Sequence, residues 1–399
     1  MKRITWKRAV SLLLALSLLT LCASVAAADG RLPGDMDRDG KITAADARIV
    51  LRIAVGLEDV ADYMDETPAA VAEIAMVTDI GQLMDNGFNQ GTWEGVRGFA
   101  DARGASCAYY QPANGDATSD QDRIDAMETA IANGAKVIVA PGFLQATAIE
   151  TVAREHPEVR FIFVDGWALG LDNVTAITYK EEQAGYLAGY AAVSEGFTQL
   201  GFTGGGGGMN PAVNRYGYGF LQGAEAAAAK TGVRVNVRYS YLYGETFSPS
   251  DELQAQIDGW YGDGVQAVFV CGGGMFESVK EAAARYEDAR IIGVDVDQSP
   301  ASPQVMTSAM KCLANSVEWA LGQYYAGMWN VLLADTAQNL GAAEDAVGLP
   351  TDTWTLTRFT PSDYRALYAA MKSGELTPNA EVPMNLTAGW NRLTVTVEK

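Results

Sequence analysis

Residues 78–95, TDIGQLMDNGFNQGTWEG, follow the apolar strand-like run Ile74 to Val77 and lead into a helix-like pattern from about Thr92. A strand that ends in Asp79, passes through glycines and then presents Phe88 and Asn89 gives one edge of a cleft an acceptor, an aromatic plate and an amide. That set suits a polar, flat solute. The competing reading of the loop is local, with Asp79 capping the next helix and Phe88 filling core. The rest of the chain decides between them.

From Ala72 onward short apolar runs alternate with helical stretches, as in Lys136 to Val139 before Ala146 to Glu155, or Ala267 to Val270 before Met275 to Tyr286. This is a βαβ series, and it predicts an α/β fold with mostly parallel sheets. Roughly 330 residues exceed what one hydrophobic core usually holds, so two lobes are expected. Ligands of open parallel sheets sit beyond the carboxyl ends of the strands. Polar and glycine-rich segments fall at those places: Asp79 to Asn89, Pro141 to Phe143, Asp165 to Trp167, Gly204 to Asn210, Gly272 to Phe276 and Asp295 to Ser299.

The front of the chain carries Lys2, Arg3, Lys7 and Arg8 before the apolar run Ala9 to Leu21, then small residues through Ala28. Residues 1–28 therefore read as an export signal, too short in its apolar part to span a membrane comfortably, and the protein is expected outside the cytoplasm. Ala26-Ala27-Ala28 offers a cleavage site. Cys22 offers a lipid-modifiable thiol, although Leu21 before it is bulky where a small residue is usual. The net charge of −20 argues against a nucleic-acid or anionic-lipid partner. Beyond the signal, Cys107, Cys271 and Cys312 are an odd, widely spaced set that indicates neither a zinc site nor a disulfide framework.

Residues 29–57 hold a second pattern. Asp35, Asp37 and Asp39 alternate, Gly40 follows, Lys41 offers its backbone carbonyl, and Asp46 closes a twelve-residue loop. Hard oxygen ligands at that spacing wrap a calcium ion, and three carboxylates this close repel one another without a cation. With the helix-like Ala44 to Gly56 behind it, the segment resembles one repeat of a dockerin, the module that docks onto cohesins; a dockerin has two repeats, and one is found here. Residues 58–71 read as an acidic linker.

A wider resemblance covers the chain from Ala72 nearly to its C-terminal region: TDIGQLMDNGFNQGTWEG, VIVAPGF, FIFVDG, YKEEQAGYLAGYAA, NRYGYGFLQGA, CGGGMFESV, and GVDVDQS followed by TSAMK. These motifs, in this order, resemble the basic membrane protein family of substrate-binding proteins, which deliver purine nucleosides to ABC importers. The resemblance implies a two-lobed type I periplasmic-binding-protein fold with the ligand between the lobes, an ABC permease as partner, and a monomer. Carried over by motif, Asp79, Phe88 and Asn89 line the first lobe's wall, with Phe88 stacking on the base. Asp295 accepts from ribose hydroxyls, and Lys311 donates to the sugar or orients that carboxylate. Phe143, Trp167, Tyr216 and Phe276 are further candidates for a stacking plate, each with core packing as its alternative. Met84 stands where the family often has another acidic residue, which leaves the role of Asp85 open. The expected lobes are residues 72–172 with 306–348, and 173–305 with 349–399. Crossings are expected near 165–173, 297–307 and 346–353.

Two other functions compete. Gly204 to Gly208 after an apparent strand suggests a dinucleotide-using enzyme, but it lacks G-x-G-x-x-G with a following acidic residue, and no G-K-[ST] is present. Acid–base chemistry is poorly supplied, since the one histidine, His156, sits in Glu155-His156-Pro157 at the end of a helical pattern. A sensor of the same fold, signalling to a membrane partner, is not separable from a transport component by sequence.

Overall fold

The central strands of this chain, such as Ile74–Val77, Val137–Pro141 and Ala267–Cys271, are buried along their whole length, as strands covered by helices on both faces require. The computed structural model describes residues 72–80 and 83–398, together with Arg48. The export signal with Cys22, the calcium-loop candidates Asp35 to Asp46 and the linker lie outside the described residues.

In chain order the elements are β1 (Ile74–Val77), α1 (Phe88–Arg103), β2 (Cys107–Tyr110), α2 (Asp120–Ala132), β3 (Val137–Pro141), α3 (Ala146–Glu155), β4 (Arg160–Val164), β5 (Val174–Tyr179), α4 (Glu181–Glu195), β6 (Gln199–Gly204) and α5 (Pro211–Thr231). There follow β7 (Val235–Ser240), α6 (Asp251–Gly262), β8 (Ala267–Cys271), α7 (Met275–Ala283), β9 (Arg290–Asp295), β10 (Val305–Lys311), α8 (Leu313–Tyr325), β11 (Thr336–Leu340), β12 (Val347–Gly348), α9 (Pro361–Lys372) and β13 (Leu393–Val397). They build two sheets, ordered β11-β5-β4-β3-β1-β2 and β12-β10-β9-β8-β6-β7-β13. Among these pairs only β10 with β12 is antiparallel.

The period-two alternation of each strand sends its side chains to opposite layers. In β1, Ile74 and Met76 join the core that also holds Trp93 and Val96 of α1. Ala75 and Val77 join the layer of Met127 and Ile149 on the other face. The second sheet has a corresponding outer layer, in which Val268 and Val270 meet Trp260 and Phe276.

The lobe boundaries differ from those read in the sequence. β5 stays in the first sheet between β4 and β11, because Phe161 of β4 lies opposite Val174 and the run continues in register. β10 pairs in parallel with β9 and so belongs to the second sheet. The chain therefore crosses at Lys180, at Cys312 and between Gly341 and Ala346. Lys180 (φ −86°, ψ 72°) and Cys312 (φ −82°, ψ 63°) are single non-helical residues between a strand and a helix. Both lie near the inverse γ-turn minimum. The crossings are tied together where the Lys180 N–H donates to the Leu340 carbonyl at 2.8 Å and the Cys312 N–H to the Ala346 carbonyl at 2.9 Å.

The crossings at Lys180 and Cys312 each deliver a helix onto a partner, α4 against α5 in the second lobe and α8 against α1 in the first. Residues 181–193 of α4 are buried without interruption, so this helix has no polar face to turn outward. Among the described residues no helix is long and apolar enough to cross a membrane.

Candidate functional site

The carboxyl ends of the central strands of both sheets meet at the lobe junction. β1 runs out at Thr78-Asp79, where the Asp79 carboxyl lies against Gly142: a Cβ on that glycine, already in left-handed backbone at φ 99°, would stand 1.9 Å from Asp79 Oδ2. Glycine is required there for both reasons. Arg123, buried, donates through Nε to the Asp79 backbone carbonyl at 3.1 Å rather than to its carboxyl. Burial pushes Asp79 up to about 7.

The helix that follows is capped by Asp85, not by Asp79. The Asp85 carboxyl accepts from the backbone N–H groups of Gly87 (2.9 Å), Asn89 (3.0 Å) and Gln90 (3.1 Å). Burial still pushes it up to about 6, the hydrogen bonds opposing. This capping holds Phe88 and Asn89 at the first turn of α1. Asn89 Nδ2 donates to the Ile80 carbonyl at 3.4 Å, and the half-buried Phe88 ring has its centroid 5.3 Å from Lys311 Nζ.

Lys311, the last residue of β10, organises the junction. Its Nζ lies 2.5 Å from Asp165 Oδ2, 3.4 Å from Glu181 Oε1 and 3.9 Å from Asp295 Oδ1. Burial acts to lower its proton affinity, but the carboxylates of Asp165, Glu181 and Asp295 outweigh burial and hold the ammonium above the usual lysine range. The rings of Tyr179 and Tyr216 face the same ammonium at 5.2 and 5.4 Å. Tyr216 donates to Asp295 Oδ1 at 3.4 Å and to the Ala309 carbonyl at 3.3 Å. Asp295 is pushed up to about 7, by burial first and by Asp165, Asp85 and Glu181 beyond it, against the pull of Lys311.

The lobes touch here. Gln298 Nε2 of the second lobe donates to the Asn86 carbonyl of the first at 2.9 Å. A Cβ on Gly91 of α1 would stand 2.8 Å from Val296 Cγ1, and one on Gly87 would stand 3.6 Å from Gly273 Cα. The conformation is closed.

Of the residues singled out in the sequence, Phe88, Asp295, Lys311 and Tyr216 come together in one cluster, and Asp79 and Asn89 flank the loop that carries Phe88. Tyr216 is 1% exposed and meets Phe269 edge-on, so it forms a floor under Lys311 and Asp295 instead of a stacking plate. Phe276 does not belong to the site. It points into the outer core of the second lobe with Trp260 and Val279, since the first turn of α7 turns that side chain back toward the sheet. Phe143 is half-buried in the turn after β3. Trp167 is 49% exposed and rests against Phe163, with ring centroids 5.5 Å apart. Asp165, Glu181 and Arg215 were not singled out. The last two form a pair with Arg215 Nε 2.6 Å from Glu181 Oε2. The sequence held a signal for Asp165, since FIFVDG and IIGVDV both place Val-Asp after an apolar run.

An aromatic ring, several carboxylates and one ammonium at the carboxyl ends of two parallel sheets make a site for a small, donor-rich solute. The model of the family described as Bmp, ABC transporter substrate-binding protein PnrA-like, matches residues 72–365. The chain belongs to the Bmp family. A Bmp-family relative, the ABC transporter nucleoside-binding protein BmpA of Lactococcus lactis subsp. cremoris, is 28% identical over 236 residues, covering 56% of this chain and 64% of that protein. The CD4+ T-cell-stimulating antigen of Listeria monocytogenes is 30% identical over 237 residues, covering 56% and 63%. The match thus spans slightly less than two thirds of either relative. An uncharacterized lipoprotein of Pyrococcus abyssi is 25% identical over 298 residues, covering 71% and 70%. Among solved structures, an ABC transporter solute-binding protein from Aeropyrum pernix K1 shares the two-lobed α/β fold at TM-score 0.66 and 21% identity, covering 79% of this chain and 94% of that one.

Proposed function

We propose that this Bmp-family protein captures a purine nucleoside between its lobes outside the cytoplasm and hands it, unaltered, to an ABC importer in the membrane. The observation that carries the reading is the Lys311 ammonium set among Asp295, Asp165 and the Phe88 ring at the lobe junction. The ring of Phe88 stacks on the base, and Asp295 accepts from the sugar hydroxyls. The relative that bears the name nucleoside-binding protein supports this choice of ligand. A stacked base contributes roughly 1–3 kcal/mol and each hydrogen bond to a charged group about 1.5–3 kcal/mol, so one stack with two such bonds approaches the roughly −8 kcal/mol of micromolar binding. A ligand touching both walls stabilises the closed form, and closure is what a permease reads.

Calorimetry with guanosine, adenosine, inosine and a free sugar tests the reading. Phe88→Ala and Asp295→Ala each weaken nucleoside binding by about tenfold or more, roughly 1.4 kcal/mol, and neither lowers the unliganded melting temperature. Unchanged affinity in both variants, or release of free base from the nucleoside, overturns it. The N-terminal loop carries a separate part of the proposal: Asp35, Asp37, Asp39, the Lys41 carbonyl and Asp46 bind one calcium ion. Calcium titration of the full chain against its Asp37→Asn/Asp39→Asn variant tests that part.

A further inference from the structure

Asp165, at the end of β4, repeats in the first lobe the placing of Asp295, at the end of β9 in the second. Each follows a valine at the carboxyl end of its strand, each has left-handed backbone (φ 59° and 66°), and each faces Lys311. Such a conformation costs a non-glycine residue on the order of 1 kcal/mol or more, and it persists where surroundings over-determine it. Two such aspartates, one per lobe, share a single lysine.

The shares are unequal. Lys311 Nζ is 2.5 Å from Asp165 Oδ2 across the lobe junction but 3.9 Å from Asp295 Oδ1 in its own lobe. We propose that Asp165 is a positioning residue: by taking Lys311 when the lobes close, it draws the ammonium off Asp295 and leaves that carboxylate free to accept hydrogen bonds from the ligand. The proposal rests on the reading of Asp295 as a ligand acceptor. When the lobes part, Asp165 moves away with the first sheet. Lys311 stays on β10, and Glu181 and Asp295 are the carboxylates left beside it, so the ammonium turns to them. Glu181, held by Arg215, is the constant partner in both states. Asp295 is therefore masked in the open form and unmasked in the closed one, which couples ligand capture to closure.

A double-mutant cycle on the full chain, with guanosine and inosine as probes in calorimetry, decides the matter. Asp165→Asn is expected to weaken binding by about tenfold, whereas in a Lys311→Met background the same change alters affinity by less than about twofold. Equal losses in both backgrounds mean general damage to the site and overturn the proposal, as does unchanged affinity in Asp165→Asn. Asp165→Gly, which removes the carboxyl and relieves the left-handed backbone, replaces the amide variant if that does not fold. The pH profile supplies a readout that damaged packing does not move. The groups facing Asp295 are Lys311 from β10, Tyr216 from α5, Asp165 from β4, Glu181 from α4, Asp85 ahead of α1 and Cys271 from β8. Wild-type affinity falls as the pH drops through about 7, where Asp295 takes up a proton. In Asp165→Asn the ammonium returns to Asp295 and the midpoint moves to lower pH; a midpoint that stays in place counts against the exchange. A wild type that binds no nucleoside overturns the functional reading and this proposal together, a result distinct from a wild type that binds and a variant that matches it.

Discussion

Two helix pairs receive the crossing chain, and they differ in how closely they pack. In the second lobe Gly185 and Gly189 of α4 meet Gly219 and Gly223 of α5. A Cβ on any of the four would stand 1.9–2.1 Å from a carbonyl oxygen of the facing helix. In the first lobe, a Cβ on Gly95 of α1 would stand 2.7 Å from the backbone of Ala314 on α8, while Gly91 and Gly98 face side-chain atoms of Leu313 and Glu318 on that helix at 3.1 and 2.9 Å. Small residues spaced by four let backbones approach in both pairs. Only the second pair is backbone against backbone on every contact, with nothing able to turn aside. The α4/α5 pair is thus the tighter of the two, and the α1/α8 pair has side chains that can give.

The largest effect that can break this comparison is on stability. Gly189→Ala has no side chain to displace and is expected to cost about 3 kcal/mol, the upper end for overpacking, even after the roughly 0.5–1 kcal/mol that alanine gains in a helix. Gly95→Ala, with some 0.6 Å more room, is expected to cost about 1–2 kcal/mol. Urea unfolding of the two variants ranks them, and a larger loss at Gly95 would reverse the ranking of the two pairs.

A smaller effect appears in binding and sharpens the same contrast. Gly91→Ala pushes on Val296 of the other lobe, and the cheapest relief is to hold the lobes slightly apart. Nucleoside affinity is expected to fall roughly fivefold, about 1 kcal/mol, with the unliganded melting temperature nearly unchanged. Intact affinity in calorimetry would show that the contact does not limit closure.

The last effect is a pH dependence shared between the lobes. Asp79 and Asp85 in the first and Asp295 and Glu182 in the second are pushed up by burial, to about 7, 6, 7 and 7. A carboxyl whose folded pKa exceeds its unfolded value favours the folded state when protonated. The cost of ionising these four groups is absent below about pH 4 and grows as the pH rises to about 7. Removing one such group, in Asp295→Asn, is expected to flatten the fall in unliganded stability between about pH 4 and 7 measured by thermal melts. An unaltered slope would mean that Asp295 does not titrate there.

Much of the architecture was legible because the strands are buried and unbroken. Ile74 to Val77 reads as a strand in the sequence and is one in the structure, and the polar segment read from Asp295 does follow a buried strand. The segments after them carry the cluster, as the chemistry of strand ends requires. The crossings were misplaced for a physical reason: Lys180 and Cys312 turn the chain between lobes with one ordinary residue each, without glycine or proline to mark the change. Loop-rich stretches such as Asp165 to Asn173 drew the boundary instead, although they only link β4 to its neighbour β5. Phe276 was misread because a residue one turn into a helix after a strand end can face either cleft or core, and its hydrophobicity suits both. Glu181 and Arg215 fall on different helices, and the contacts of Glu181 with both Arg215 and Lys311 depend on a fold that no spacing encodes.

The single-residue joints at Lys180 and Cys312 also constrain how the molecule moves. With helix beginning immediately on one side and strand ending on the other, few backbone torsions are available to share a rotation, and the hydrogen bonds to Leu340 and Ala346 oblige neighbouring connections to turn in step. A swing distributed over so few bonds has no gradual course. Single-molecule distance measurements across the junction should find two discrete populations whose proportions change with ligand, rather than one population whose mean drifts.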